Sequence, residues 1–263
     1  MFEYGKKTYI MGILNVTTDS FSDGGNYTSV EIAVNHAKEM IEEGADIIDV
    51  GGESTRPGHK FVSAEEEIER IVPVIKTLKN SINVPISIDT YKSKVAEEAL
   101  KLGAYMVNDV WGLTYDANMA NVIAKYDASV CIMHNQEGTD YDKDIMESIK
   151  EFLQNSIDKA LKAGVKKEKI VLDPGIGFGK TFEQNLEVLK RLNELKTLRY
   201  PVLLGTSRKS VLGNIVGGEP RERVEATVAT TVCGIRDGVE IVRVHDVKEN
   251  LQAAKIADRI YRG

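Results

Sequence analysis

Six times along the chain, a short apolar and β-branched run stops at a polar residue that a strand interior does not tolerate. The runs are ISID ending at Asp89, YMVN at Asn108, CIMH at His134, IVLD at Asp173, VLLGTSRK at Lys209, and IVRVH at Arg243 and His245. Two more, YIMGILN (Thr8 to Asn15 with its leading threonine) and ADIIDV, lead into the polar loops TTDSFSDGGNY and GGESTRPGHK. Stretches with helical periodicity separate these runs. Parallel strands need long crossovers, so alternating strands and helices predict an α/β fold with a parallel sheet. Eight such units predict closure into a single (β/α)8 TIM barrel over 1–263, with its active site at the C-terminal ends of the strands. A doubly wound open sheet would gather its polar loops at one switch point, whereas here every strand end carries them.

Composition narrows the classes of partner. The chain has 34 basic and 40 acidic residues and a formal charge of −6, so it lacks the basic footprint of a nucleic-acid surface. MFEYGKK has no apolar signal region and no window approaches a membrane span, so a cytoplasmic protein with no membrane partner is expected. Cys131, in a strand, and Cys233, in a helical stretch, are expected to be buried thiols rather than a disulfide or zinc site.

Local signals set further expectations. Thr28/Glu31, Ser63/Glu66 and Thr181/Gln184 have N-terminal capping spacing, and Pro73 predicts a kink in the second helix. TSRKSVLGNIVGGEP reads as a loop, with Pro220 able to start the next helix.

The strand-end residues carry recognisable chemistry. Asp89 and Asp173 could serve as ordinary N-caps. Together with Asn108 in one mouth, they suit a heteroaromatic ligand that presents an N–H beside an exocyclic amine, the edge of a pterin or guanine-like ring. DPGIGFGK has neither the dinucleotide nor the P-loop arrangement. Its glycines instead let backbone pass close to a flat ligand, with Phe178 offering an aromatic face. Arg208 and Lys209 follow a buried strand, which favours a site role. Arg243 and His245 point to the same side of their strand, and burying both calls for an anion. His134 is open between a satisfied rim residue and a catalytic one, Trp111 reads as packing beneath the fourth loop, and His36 and His59 read as surface residues.

NVTTDSFSDGG, GGESTRPG, SIDT, NDV, MH, DPGIGFGK, TSRKS and RVHDV stand in the order and spacing of the dihydropteroate synthase family, and the chain resembles it from Gly12 to the last strand. The resemblance implies a transferase of folate biosynthesis. Such an enzyme condenses 6-hydroxymethyl-7,8-dihydropterin diphosphate with 4-aminobenzoate, releasing pyrophosphate. Carried over by motif, Asp89, Asn108, Asp173 and Lys209 would hold the pterin, while Arg243 and His245 would grip the diphosphate. Thr55 would also touch the pterin diphosphate. Arg56, Pro57, Phe178 and Ser210 match positions around the aminobenzoate, and Asn15 matches a Mg2+ contact. The resemblance also implies a homodimer and a sulfonamide target. Thr18 stands where the family usually has proline, and Asn-Gln-Glu follows His134 where many members have another methionine.

A corrinoid-linked, pterin-dependent methyltransferase is the main rival, because it shares the fold and the pterin-contacting carboxylates. It has no use for a diphosphate grip or an aminobenzoate pocket, so STRPG, SRKS and RVH favour the synthase. A pterin-binding protein without catalysis is the remaining alternative.

Overall fold

The computed structural model describes residues 2–16, 26–54 and 61–263, with 26–28 as backbone only. Strands β1 (Tyr9–Asn15), β2 (Ile47–Gly51), β3 (Ile86–Asp89), β4 (Met106–Asp109), β5 (Ser129–Met133), β6 (Ile170–Asp173), β7 (Leu203–Leu204) and β8 (Ile241–Val244) form one sheet. Its order is β6-β5-β4-β3-β2-β1-β8-β7, and every pair is parallel. The seam between β6 and β7 is a parallel bridge from Leu172 to Val202, with the Leu172 N–H donating to the Pro201 carbonyl at 2.9 Å. Pro201 has no N–H to return, which helps keep that seam short. The result is the expected (β/α)8 barrel.

Alternation along the strands divides the core in two. One stripe, including Ile10, Ile48, Ile88, Val107, Val130, Leu172, Leu204 and Val242, packs outward among the helices. The other points inward, where Tyr9, Met11, Ile47, Met106, Cys131, Val171, Leu203 and Ile241 form a separate apolar cluster. Each such side chain, when fully buried, contributes about 1.5–3 kcal/mol. Phe2, Tyr4 and Tyr105 pack against this inner cluster, with the Phe2 and Tyr9 rings 4.6 Å apart. Aromatic packing therefore closes the end where the strands begin and leaves polar groups at the other end.

The helices in chain order are α1 (Asn26–Glu42), α2 (Ala64–Ser81), α3 (Ser93–Lys101), α4 (Met119–Lys125), α5 (Ile145–Ala163), α6 (Phe182–Lys190), α7 (Ser210–Val216), α8 (Val224–Arg236) and α9 (Val247–Tyr261). Ser63 accepts from the Glu66 N–H at 3.1 Å, and Thr181 and Gln184 form the expected reciprocal capping box. Helix α1 already runs at Asn26, so Thr28 lies inside it rather than at its cap. Helix α2 runs unbroken through Pro73. The stretch read as a loop after β7 contains α7, while Pro220 opens only a short 3-10 turn, Pro220–Glu222, before α8. Cys131 is buried as expected, but Cys233 is exposed because it falls on the outer face of α8. None of the helices among the described residues is long and apolar enough to cross a membrane.

Candidate active site

In six of the eight strands the inward stripe passes, two residues on, from a buried side chain to a polar one or to none. Ile47 leads to Asp49 and Gly51, Ser87 to Asp89, Met106 to Asn108, Val171 to Asp173, Leu203 to Gly205, and Ile241 to Arg243 and His245. Register then aligns them sideways: Asn15 pairs with Gly51, Gly51 with Asp89, and Asp89 with Asn108. Gly205 faces the centre of the group. A Cβ built there would stand 3.9 Å from Arg243 Cβ, Asp173 Oδ2 and Lys209 Nζ.

Asp49 is the main residue that sequence reading missed. It is 0 % exposed, and its Oδ2 accepts from Asn108 Nδ2 at 3.0 Å and from Arg243 Nε at 2.6 Å. Arg243 also donates through Nη2 to Asp89 Oδ2 at 2.6 Å. The anion that Arg243 was expected to require is thus supplied by the protein itself, as two buried carboxylates. Each keeps one buried oxygen, Asp49 Oδ1 and Asp89 Oδ1, without a hydrogen-bond partner among the described residues. An unpaired buried acceptor is costly, and a ligand donor would relieve it. Burial pushes the Asp89 carboxyl up to about 7, against the pull of Arg243. Burial raises Asp173 as well, opposed by Lys209 and by a 2.7 Å hydrogen bond from the Gly175 N–H.

Opposite this acidic group, Lys209 donates to the Ile176 carbonyl and sits 4.7 Å from the centre of the Phe178 ring. Burial brings its ammonium down to about 8, with Asp173 opposing. His245 Nδ1 lies 3.0 Å from Ser207 Oγ. Ser210 is exposed at the first position of α7. Asn15 is exposed at the end of β1, its Oδ1 3.8 Å from the Cβ position of Gly51. Thr55, Arg56 and Pro57, like His59 and Thr18, lie outside the described residues. On either side of 55–60 the described residues are tied together: Glu53 accepts from the Val62 N–H at 3.1 Å and from the Tyr91 hydroxyl at 3.0 Å. Lys92 bridges Glu53 and Glu67.

Two expectations change. Arg208 adopts φ +60 and turns its guanidinium onto Asp246, so it braces the start of α9 rather than joining Lys209. The glycines of DPGIGFGK are needed first for protein contacts: a Cβ on Gly175, at φ +70, would stand 1.9 Å from the His134 carbonyl oxygen. His134 itself is buried, with Nδ1 2.9 Å from Lys180 Nζ. Asp109 braces the turn that follows β4, accepting from the Trp111 and Leu113 N–H groups at 2.9 and 2.8 Å.

Comparison with known proteins bears on the family and the fold. The sequence profile described as pterin binding enzyme matches residues 11–245. A dihydropteroate synthase of Clostridium beijerinckii is 58% identical over 99% of this chain and 97% of its own length. The crystal structure of a Clostridium difficile dihydropteroate synthase, solved in the presence of pteroic acid, superposes with a TM-score of 0.99 at 70% identity, covering 100% of both chains. A Yersinia pestis dihydropteroate synthase in a sulfonamide drug complex superposes at 0.93 with 40% identity, covering 100% of this chain and 98% of its own. On the strength of this full-length similarity, the chain belongs to the dihydropteroate synthase family of pterin binding enzymes.

Proposed function

We propose that the barrel mouth condenses 6-hydroxymethyl-7,8-dihydropterin diphosphate with 4-aminobenzoate to give 7,8-dihydropteroate and pyrophosphate. The observation that carries this reading is the orphaned, buried Asp89 Oδ1 in a ring of Asn108, Asp173, Lys209 and Arg243 around the bare Gly205. A flat ring with N–H donors would satisfy the acceptor. Asn108, fixed by Asp49 through its amide nitrogen, has its oxygen left to accept from the ring. Lys209 orients the pterin beside Asp173, and Arg243 with His245 stabilises the departing diphosphate. Thr55 adds a contact to the pterin diphosphate.

The bond to pyrophosphate breaks at a methylene carbon on an electron-rich dihydropterin, which can carry the developing positive charge. The aromatic amine then forms the C–N bond and loses a proton, so no protein nucleophile is needed. Arg56, Pro57, Phe178 and Ser210 complete the aminobenzoate pocket. Among the described residues, no cluster of three or more His, Cys, Asp or Glu could cage a metal. Asn15 offers one hard amide oxygen at the rim, which fits Mg2+ carried in largely on substrate phosphate oxygens. When bound, Mg2+ would neutralise charge on the leaving diphosphate.

Purified protein given both substrates and Mg2+ should form dihydropteroate and pyrophosphate in equal amounts by chromatography and a coupled phosphate assay. Methyl transfer to a corrinoid, or pterin binding without pyrophosphate release under saturating aminobenzoate, would overturn the reading. The 58% identity to a curated synthase over nearly the whole chain favours the synthase over its methyltransferase rival. A cytoplasmic homodimer belongs to the same proposal. Ile256 and Ile260, one turn apart and exposed on α9, support a dimer by offering an apolar face.

The site also predicts how binding responds to pH and to substitution. A pterin donating to Asp89 needs its ionised form, and with that group at about 7 the ionised fraction rises steeply between pH 6 and 7.5. Pterin Kd should therefore tighten about five- to tenfold over that interval, by calorimetry, and Asp89→Asn should flatten the profile. A flat profile in the unaltered protein would count against Asp89. Replacing Ser210 by alanine should weaken 4-aminobenzoate or sulfonamide binding about three- to tenfold, the loss of about one hydrogen bond, with pterin affinity unchanged. Movement of pterin affinity alone would contradict the division of the site.

A further inference from the structure

Lys180 follows the last glycine of DPGIGFGK and is only 8 % exposed. Its Nζ donates to the carbonyls of Gly175 at 2.9 Å and Phe178 at 3.0 Å, and stands 2.9 Å from His134 Nδ1. An ammonium has three N–H bonds, and three acceptors surround this one. The third bond requires a His134 ring that is neutral, with its proton on Nε2. Burial and the neighbouring Lys180 ammonium hold His134 down to about 3, so the ring is neutral at working pH. Burial lowers Lys180 to about 7, with Asp173 from β6 pulling up and Lys209 from the start of α7 pushing down.

The same loop presents its outward groups to the site. Between the two carbonyls bound by Lys180 lies that of Ile176, which accepts from Lys209, and the Phe178 ring lies against the same ammonium. Asn185 Oδ1 takes the Gly177 N–H at 2.6 Å. Tyr141 holds the Gly179 carbonyl at 2.8 Å and the Phe178 N–H donates to the Gly175 carbonyl at 3.1 Å, which leaves Lys180 as the side chain that ties the carbonyl of Phe178 itself.

We infer that Lys180, with His134 as its third acceptor, is a positioning residue for the aminobenzoate half of the reaction, fixing the Gly175–Gly179 loop so that Phe178 keeps its place beside Lys209. This rests on the proposed role of Phe178. Asp89, Asn108 and Arg243 belong to other strands, and Asp173 and Lys209 meet the loop at the Gly175 N–H and the Ile176 carbonyl, ahead of Phe178, so the pterin half depends less on Lys180 than the aminobenzoate half does. His134 is accordingly a buttress and not a proton carrier.

The test is steady-state kinetics of Lys180→Met beside Phe178→Ala, His134→Asn and His134→Leu, with pterin Kd measured separately. Lys180→Met should raise KM for 4-aminobenzoate about tenfold, with kcat and pterin Kd within about threefold. Phe178→Ala should show the same split. His134→Asn, whose Oδ1 can take the place of Nδ1, should stay within about threefold of the unaltered protein, whereas His134→Leu should resemble Lys180→Met. A raised KM in Phe178→Ala with none in Lys180→Met overturns this inference alone. No change in either overturns the aminobenzoate role of Phe178 and the inference with it. A parallel loss of kcat, KM and pterin binding marks a general structural role and also overturns it. If Lys180→Met fails to fold, 15N shifts of the His134 ring in the unaltered protein at pH 6 decide. A proton on Nε2 with Nδ1 bare is expected, and a protonated Nδ1 contradicts the pairing.

Discussion

Replacing Gly205 with leucine should abolish pterin binding and leave the barrel folded. The Cβ itself meets no clash, since its neighbours Arg243, Asp173 and Lys209 all stand 3.9 Å away, at ordinary contact distance. Gly205 is also absent from the left-handed residues, so a side chain there brings no backbone strain. The branches of leucine, however, would project into the space those three residues enclose, where the ring must lie. Calorimetry should show pterin Kd raised by more than about a hundredfold, as expected for a built-in steric block. The melting temperature should move by no more than about 4 °C, the size of about 1 kcal/mol in a domain this large. Gly205→Ala, which adds only the Cβ, should cost far less. Normal binding by the leucine variant would place the pterin elsewhere.

Arg243→Met should damage both stability and catalysis, because one guanidinium serves both. Its 2.6 Å bonds to Asp49 and Asp89 pair it with two carboxylates buried inside the barrel. Breaking a buried pair by removing one partner costs about 3–5 kcal/mol, which predicts a melting temperature lower by about 10 °C or more. The deficit must grow with pH. Asp89 already binds its proton more tightly when folded, so that proton stabilises the fold below the ordinary carboxylate range, near 4, and the benefit is lost as pH rises through about 7. Losing Arg243 raises that folded value further, and the variant should recover most of its stability near pH 5. Adding Asp49→Asn should restore part of the loss by removing one orphaned charge. Turnover should fall at least about a hundredfold even where the variant is folded, since a donor to the leaving diphosphate is gone. A variant as stable as the parent at pH 8 would contradict the pairing.

Strand-end residues were legible because a polar group ending an apolar run has few structural uses, and the two-residue period shows which of them share a face. Asp89, Asn108, Asp173, Arg243 and His245 are brought together on those grounds. Asp49 escaped because it lies inside ADIIDV rather than at its end, although it stands in step with Ile47 and Gly51 on the inward stripe. Applying the same period to β2 would have found it. Arg208 was misplaced because adjacency to Lys209 says nothing of the left-handed turn that sends it to Asp246. Lys180 carried no local signal at all. Its three acceptors come from the glycine loop and from the end of β5, and only folding puts them within reach. The seven-residue α7 was hidden by flanking glycines and by its short length.

The most direct test of the central claim is a crystal structure with the pterin diphosphate, 4-aminobenzoate analogue and Mg2+ bound together. The ring should lie against Gly205 with its donors on Asp89 and Asp173 and with Asn108 and Lys209 at its edge. The diphosphate should meet Arg243 and His245, and the aminobenzoate ring should lie by Phe178 and Ser210. A pterin bound outside this ring of strand ends, or a diphosphate with no contact to Arg243 or His245, would contradict the account.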